Sequence, residues 1–327
     1  MKRLLLFNPD HDYALANGGP YYIPPASIRR LAKNLELIPL LWASDEDMIL
    51  NSDDRVLSSR DLKEFENRST ALSEVESVDP WGWDEALRYR LNNLGLKDSI
   101  LPDHLFMENV RRLSHRRISI KLNEFMGYCP PPREICLIED ALSYAKEFKG
   151  CYLKLPWSSG GRGVLATREL NMVQIEEWVK GALRKQKSIM AEGFVDRQLD
   201  FASLWETKGN EVIFEGFSIS LSDGRGKYKG NVYGPQEKIA RYIEARTFGF
   251  TPELTTLQKK FIEDNILPHY EGKIGIDMMA DRKGRIYPGV EINLRRTMGH
   301  VACNLTMADK NKINFLKNLP LIDIQEL

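Results

Sequence analysis

The sequence predicts an α/β protein built from two or three domains. Strand and helix patterns alternate at its start, which is typical of an open α/β sheet. A chain of 327 residues is also longer than one ordinary hydrophobic core serves. Apolar residues make up 43% and charged residues 28%, proportions that exclude disordered, collagen-like and disulfide-scaffold proteins.

The charges are balanced overall but unevenly distributed. Lys and Arg number 46, as do Asp and Glu, so the formal net charge is zero. This balance argues against a nucleic-acid partner, because such proteins need surplus cations to displace counterions. Residues 1–108 carry a net −7 and the remainder +7. We therefore expect an anionic ligand in the second part, and an acidic first domain that favours a cationic or amine-bearing substrate.

The N-terminus and the cysteines both predict a cytoplasmic protein. Residues 1–7, MKRLLLF, resemble the start of a signal peptide, but polar residues follow before an apolar segment of useful length. No stretch approaches the roughly 20 apolar residues that cross a bilayer, so no membrane partner is expected. The cysteines have no C-x-x-C spacing, which excludes common zinc and redox motifs and favours reduced thiols at Cys129, Cys136, Cys151 and Cys303.

The first domain begins with a buried strand at residues 4–7, which ends at an Asn-Pro-Asp loop. A helix is predicted over 26–34 and the next strand over 36–42. Ligands of open α/β sheets bind at the carboxyl ends of strands, and loop 8–19 has that position. Three polar side chains of this loop either touch a substrate or form a hydrogen-bonded turn: Asp10, His11 and Asp12.

Further helices and strands follow from the apolar periodicity. Helices are predicted over residues 85–93, 110–126, 139–148 and 172–187. Strands are predicted over residues 151–155, 188–192, 201–205, 211–221, 275–279 and 286–292. The run 129–132, Cys-Pro-Pro-Pro, forces an extended connection and marks a domain boundary.

A glycine-rich loop follows the strand that ends at Lys154. Its backbone N–H groups can approach phosphate oxygens, and its hydroxyls add donors; the residues concerned are Ser158, Ser159, Gly160, Gly161 and Gly163. The loop has neither the Walker spacing nor the Gly-x-Gly-x-x-Gly dinucleotide spacing. A phosphate-binding loop is the favoured interpretation, and a hairpin turn beside an exposed lysine is the alternative.

Two carboxylates and an amide are predicted to meet near the C-terminus. In a hairpin with its turn at 281–284, Asp277 and Glu291 can lie beside each other, and Glu291 and Asn293 point to the same face. Two unpaired carboxylates would repel there, so a cation is the simplest resolution. Oxygen ligands favour Mg²⁺; the alternative is an ordinary hairpin with polar outer positions. Arg295 and Arg296 follow and could hold an anionic substrate group.

Together these features resemble the ATP-grasp superfamily of carboxylate–amine and carboxylate–thiol ligases. The shared order is a strand-end lysine before a Gly/Ser loop, a hinge with an acidic residue, a strand with Asp, and then Glu-x-Asn. The resemblance covers about residues 113–300 and is most specific at 154–164 and 277–295. It implies an ATP-grasp fold with an N-terminal Rossmann-like preATP-grasp α/β domain (1–108), an α+β lid subdomain with the glycine-rich loop (109–193) and a C-terminal catalytic subdomain (194–327).

The resemblance implies ATP as the nucleotide and assigns a residue to each of its parts. Lys154 contacts the α-phosphate. Glu192 lies at the hinge and recognises the adenine edge, with Val195 packing nearby, and Asp200 matches an acidic residue for the ribose hydroxyls. The glycine-rich loop, Ser158 to Gly163, is mobile in the family and covers the β- and γ-phosphates.

The same resemblance implies a pair of Mg²⁺ ions and one catalytic arginine. Asp277, Glu291 and Asn293 match the magnesium ligands, and Arg295 matches an arginine that binds the carboxylate or stabilises an acyl phosphate. A second family arginine, two residues before the metal aspartate, is replaced by Gly275. Orientation of the carboxylate is then expected from Arg295, Arg296 or the segment 227–229.

One family lysine is missing from the helix that precedes the lid. Arg117 has the best spacing to replace it as a phosphate-binding residue, and Arg116 is the alternative. The sequence leaves this choice open. His300 lies close to the metal strand, where a structural role is favoured over that of a base.

The implied reaction joins a small-molecule carboxylate to an amine, or less often a thiol, through an acyl phosphate, with release of ADP and phosphate. A small-molecule kinase on the same scaffold is the first alternative, and a nucleotide-binding regulator without catalysis is the second. The sequence identifies neither substrate. It is compatible with a homo-oligomer.

Overall fold

The computed structural model describes residues 2–63, 72–128, 130–148, 150–158, 160–161, 163–222, 228–248, 250, 252–305 and 319–327. Three sheets are formed by these residues, and each sheet lies in one of the three segments predicted from the sequence. The exact domain boundaries stay a prediction. The predicted site residue Ser159, together with Cys129 and Lys227, lies outside the described residues.

The first sheet has the order β3-β2-β1-β4. Its central strand β1 is parallel to β2 on one side and to β4 on the other, while β3 is antiparallel to β2. The strand bounds are β1 Arg3–Leu6, β2 Met48–Leu50, β3 Val56–Ser58 and β4 Ser77–Pro80. Leu4, Leu5 and Leu6 are buried, as the opening apolar run predicts.

Four helices of the described residues accompany this sheet: α1 His11–Asn17, α2 Ala26–Asn34, α3 Ser59–Lys63 and α4 Glu85–Asn93. α1 stops at Gly18, whose φ of 75° is the left-handed conformation that glycine favours at a helix end. α4 begins at Asp84, whose carboxylate accepts a hydrogen bond from the Leu87 backbone.

The strand predicted over 36–42 is wrong. Ile38–Leu41 forms a buried 3-10 helix instead. Pro39 cannot donate a backbone hydrogen bond to a neighbouring strand. All four residues are buried, and Ile38, Leu40 and Leu41 belong to apolar clusters with residues from elsewhere in the chain.

The single helix predicted over 110–126 is also wrong, because two helices occupy this region: α5 His104–Leu113 and α6 Arg117–Phe125. The chain turns between them at His115. The His115 ring accepts a hydrogen bond from the Arg117 backbone at 3.1 Å and packs edge-on against Trp157, with ring centroids 4.6 Å apart. A contact so distant in sequence leaves no local signal for the break.

The second sheet is antiparallel, with the order β5-β8-β6-β7. It consists of β5 Arg133–Ile135, β6 Tyr152–Lys154, β7 Val164–Ala166 and β8 Ile189–Glu192, covered by α7 Ile138–Glu147 and α8 Met172–Gln186. α8 begins with a reciprocal capping box between Asn171 and Gln174. An apolar cluster of its own, drawn from residues 135–191, holds this unit together.

The third sheet is the largest and has the order β13-β12-β9-β10-β11-β14. Its strands are β9 Arg197–Lys208, β10 Glu211–Ser222, β11 Tyr228–Tyr233, β12 Gly272–Asp281, β13 Ile286–Asn293 and β14 Leu321–Asp323; the helices are α9 Gln236–Glu244, α10 Pro252–Asn265 and α11 Met298–Leu305. The main hydrophobic core lies against this sheet, around Trp205, Phe201 and Phe261.

Across the described residues, no helix combines the length and the apolar character that a bilayer crossing requires. The three cysteines among them form no disulfide: Cys136, Cys151 and Cys303.

Candidate active site

The hairpin of β12 and β13 brings the predicted metal ligands together. Asp277 and Glu291 are direct partners in its register, as their positions in the sequence allow. The Asn293 amide donates a hydrogen bond to Asp277 Oδ2 at 3.0 Å. Three oxygen-bearing side chains therefore share one face of two adjacent strands.

The electrostatics of this face fit a cation. Burial and the neighbouring Glu291 raise the pKa of Asp277 to about 7. Without a cation, it is therefore unfavourable for both carboxylates to be ionised at once. Within the described residues no three Asp, Glu, His or Cys side chains form a metal-binding group. A cation here would therefore use the amide oxygen of Asn293 as its third protein ligand.

Arg116 connects this face to the glycine-rich loop. Its guanidinium donates to Glu291 Oε1 at 2.8 Å and to Ser158 Oγ at 2.8 Å, and it also donates to the Leu155 carbonyl oxygen. The side chain is 7% exposed. Buried positive charge thus lies between the predicted metal ligands and the predicted phosphate loop.

Arg117, the residue favoured from sequence spacing, lies elsewhere. Its side chain is 50% exposed and pairs with Glu134 on β5 at 2.7 Å. The structure thus places Arg116, the alternative, beside the other candidate residues. Spacing could not separate two adjacent arginines, because the turn at His115 decides which of them faces inward.

Lys154 and Glu192 form an ion pair on two neighbouring strands of the second sheet. Their side chains are 12% and 14% exposed. Glu192 ends β8, and Val195 is half-buried in the connection to β9. The predicted α-phosphate lysine and the predicted hinge acid are therefore in contact.

The glycine-rich loop adopts a conformation that requires its glycines. Gly160, Gly161 and Gly163 have φ values of 61°, 73° and 77°. A Cβ atom at Gly163 would also lie 2.8 Å from Leu155 Cδ1. Ser158 is 5% exposed, and its hydroxyl accepts the hydrogen bond from Arg116.

Asp200 lies on β9, which pairs with β12. Its carboxylate accepts a hydrogen bond from Ser222 Oγ at 3.0 Å and pairs with Arg197 at 3.0 Å. Burial raises the pKa of Asp200 although Arg197 and Ser222 oppose the shift.

Arg295 and Arg296 make contacts that the sequence did not predict. Arg295 forms a bidentate ion pair with Asp12, with Nη2 and Oδ2 2.8 Å apart. Arg296 pairs with Asp79 at 2.7 Å, and its backbone N–H donates to the Trp81 carbonyl oxygen. Arg296 therefore joins the first sheet to the hairpin.

His300 is 3% exposed and has a structural contact. Its Nδ1 accepts a hydrogen bond from the Thr297 backbone at 3.1 Å at the start of α11. Burial and the nearby Arg296 lower the pKa of His300 well below its usual range, so the ring is neutral at physiological pH.

No family model matches the chain, but a curated protein is a distant relative of it. The chain is 24% identical over 240 residues to the L-glutamate ligase of the butirosin acyl-carrier protein from Niallia circulans. The match covers 69% of this chain and 52% of the relative, so the chain spans about half the length of this curated protein.

Solved structures share the fold at low sequence identity. The biotin carboxylase domain of 2-oxoglutarate carboxylase from Hydrogenobacter thermophilus, a complex with MgADP, ADP and bicarbonate, has a TM-score of 0.53 and 16% identity over 97% of this chain and 69% of that one. The D-alanine-D-alanine ligase of Coxiella burnetii has a TM-score of 0.52 and 11% sequence identity, and the match covers 100% of this chain and 94% of that one. Biotin carboxylase of Campylobacter jejuni has a TM-score of 0.52 and 16% sequence identity, and the match covers 75% of this chain and 55% of that one. The chain therefore has the ATP-grasp fold that its sequence predicts.

Proposed function

We propose that this protein is an ATP-dependent ligase that activates a carboxylate as an acyl phosphate and joins it to an amine, releasing ADP and phosphate. The observation that carries the proposal is the meeting of opposite charges on one face. The Asp277–Glu291 pair lies directly beside the buried guanidinium of Arg116, which also contacts the glycine-rich loop. A metal–triphosphate complex needs both kinds of charge together.

In this proposal the second sheet and the hinge bind the nucleotide. Lys154 neutralises the α-phosphate, Glu192 and backbone groups beside Val195 hold the adenine edge, and Asp200 binds the ribose. The loop at 158–163 encloses the β- and γ-phosphates. The left-handed glycines support this assignment, since they let backbone N–H groups approach phosphate oxygens.

Asp277, Glu291 and Asn293 would hold Mg²⁺, which would neutralise phosphate charge when bound. Arg116 is suited to move from Glu291 to a phosphate oxygen, because a guanidinium binds either group in the same planar geometry. We therefore assign the second phosphate-binding role to Arg116 and keep Arg117 as the competing assignment.

The chemistry requires two displacements. A carboxylate oxygen of the first substrate attacks the γ-phosphorus, and ADP leaves. The amine nitrogen then attacks the acyl carbon, phosphate leaves, and the amine loses a proton. Arg295, which directly follows the hairpin and pairs with Asp12, would bind the carboxylate and the charge that develops on it. A closed glycine-rich loop would exclude water from the acyl phosphate.

The substrates proposed first follow from the curated relative. Its name specifies L-glutamate and an acyl-carrier protein, so L-glutamate and a carrier-bound acyl group are candidate substrates here, beside free small carboxylates and amines. The described cysteines form no disulfide with one another, as we expect of a cytoplasmic protein.

The test is ADP release by the purified protein with Mg²⁺, across amino acids, dipeptides, small carboxylic acids and L-glutamate with a carrier protein, followed by mass spectrometry of the product. A new amide or thioester supports the ligase. ADP formation without an acceptor, together with a stable phosphorylated product, identifies the kinase alternative. Nucleotide binding without any ADP formation identifies a regulator.

A further inference from the structure

A cavity in the N-terminal unit lies apart from the residues assigned to the nucleotide. Its volume of about 760 Å³ is within the range of small-molecule sites. Leu6 and Leu50, the last residues of β1 and β2, line it together with residues of α2 and α4. Because β1 has parallel neighbours on both sides, the cavity lies where the strand order reverses, which is the common ligand position in open α/β sheets.

The paired charges around the cavity cancel. Lys33 pairs with Asp53 at 3.3 Å, and Arg90 Nε donates to Asp54 at 2.8 Å. Of the other charged side chains that line the cavity, Arg29 is on the exposed side of α2, while Asp84 is 3% exposed and Asp10 is half-buried. The inner part of the cavity is therefore negative.

Two polar groups of this inner part are poorly satisfied by the described residues. The Asp10 carboxylate accepts a hydrogen bond from its own backbone N–H, but it makes no side-chain cap to α1 and pairs with no cation in the described part of the chain. The Tyr22 hydroxyl is buried without a hydrogen bond, and it lies in the field of Asp10 and Asp84. Burial and Asp84 raise the pKa of Asp10 to about 6. Such groups are costly unless a ligand satisfies them.

The cavity adjoins the candidate active site through α1. His11 is 1% exposed, and its Nδ1 lies 3.5 Å from Asp84 Oδ2. A Cβ atom at Gly82 would lie 2.8 Å from the His11 ring and 2.9 Å from Arg295 Cβ. Asp10 and Asp12 thus lie on one turn, the first lining the cavity and the second binding Arg295.

We propose that this cavity binds the amine substrate, a small molecule whose ammonium group is held by the Asp10 carboxylate and the Tyr22 hydroxyl. The assignment of the ligand as substrate rests on the proposed ligase function. Its positive charge follows from the cavity alone, because a cation that donates hydrogen bonds neutralises the Asp10 carboxylate and also satisfies the buried Tyr22 hydroxyl. The exposed Arg29 suits a carboxylate on the same ligand, so amino acids fit this site.

The test is calorimetric binding to the purified full chain without nucleotide, using the standard amino acids and 1,4-diaminobutane, each beside its hydroxyl analogue. We expect at least one amine to bind and its hydroxyl analogue not to bind. Asp10→Asn should weaken the amine about tenfold or more and Tyr22→Phe by a smaller factor. Asp53→Asn is the matched control, because Lys33 already neutralises that cavity carboxylate, and it should leave binding unchanged.

Measurement of MgADP affinity on the same variants separates this inference from the ligase proposal. If amine binding depends on Asp10 but the protein has no ligase turnover, the amine site in the cavity is supported and the proposed ligase function is wrong. Ligase turnover with an amine KM that Asp10→Asn leaves unchanged overturns the cavity assignment. So does a panel in which no amine binds, or one in which the hydroxyl analogues bind equally well.

Discussion

Asp12 and Arg295 form a bidentate ion pair although 283 residues separate them in the chain. Each side chain is only 13% exposed. Burial acts to raise the pKa of Asp12, but the Arg295 guanidinium outweighs it and holds the pKa below its usual range. A buried charge pair therefore connects the start of α1 to the hairpin that carries the predicted metal ligands.

Removal of one partner of this pair should destabilise the protein. Asp12→Ala leaves the Arg295 charge buried and unpaired, so we expect a loss of about 3 kcal/mol in the free energy of unfolding, measured in urea. Asp196→Ala is the control, since Asp196 and Arg282 form an ion pair with side chains 65% and 71% exposed, worth less than about 1 kcal/mol. Equal losses in the two variants would contradict the assignment of a buried pair.

The effect of Mg²⁺ should depend on pH. The pKa of Asp277 is raised from 3.8 to about 7, so the metal-free protein loses stability as the pH rises through this interval. Mg²⁺ needs the ionised carboxylate. The rise in Tm on adding Mg²⁺ should therefore be small at pH 6 and large at pH 8.

Asp277→Asn should abolish this dependence of Tm on Mg²⁺ and pH. Asp281→Asn is the control on the same hairpin: its Oδ1 accepts turn hydrogen bonds from Lys283 and Arg285, and the asparagine oxygen can keep them. If the Mg²⁺ response of Asp277→Asn matched that of the wild type, the metal would have to bind elsewhere.

The two neighbouring arginines should have very different effects on turnover. Arg116→Ala removes a buried guanidinium beside Glu291 and Ser158, and we expect kcat/KM for ATP to fall about a hundredfold. Arg117→Ala removes a half-exposed partner of Glu134, with an expected change below about threefold. The reverse order would favour Arg117, the residue with the best spacing in the sequence.

Two glycines of the loop should tolerate a methyl group differently. Among the described residues, chain neighbours apart, no atom lies within 4 Å of a Cβ added at Gly160, whereas a Cβ at Gly163 would collide with Leu155. Both residues have positive φ, so each alanine costs about 1 kcal/mol or more in the backbone. Gly163→Ala should raise the KM for ATP about tenfold beyond Gly160→Ala, because loop misplacement adds to this cost. Equal KM values would show that the loop relaxes freely.

The parts of the fold that depend on local pattern could be predicted from the sequence. In the hairpin of β12 and β13, strand alternation places Asp277 and Glu291 on one face, and the register shift between Asp277 and Met279, which the sequence does not reveal, makes them direct partners. The helices at 26–34 and 85–93 have the predicted bounds. The family resemblance added the fold of the whole chain, which periodicity alone could not supply.

The parts that depend on distant contacts could not be predicted. The turn at His115 depends on Trp157, and the inward direction of Arg116 follows from that turn. The pairing of Arg295 with Asp12 joins opposite ends of the chain, and no spacing rule relates them. The partner of Arg296, Asp79, is equally remote. Because the sequence does not reveal this ion pair, it predicts that Arg296 is available for a substrate anion.

The separate apolar cluster of the second sheet has a consequence for nucleotide exchange. Two consecutive arginines, Arg295 and Arg296, connect the hairpin to the first unit through ion pairs with Asp12 and Asp79. The second sheet keeps its own core, drawn from residues 135–191, so a displacement of this sheet would leave that core buried. If the protein is the ligase we propose, ATP entry and ADP release would need only polar contacts such as those of Arg116 to open, and no apolar core would be exposed.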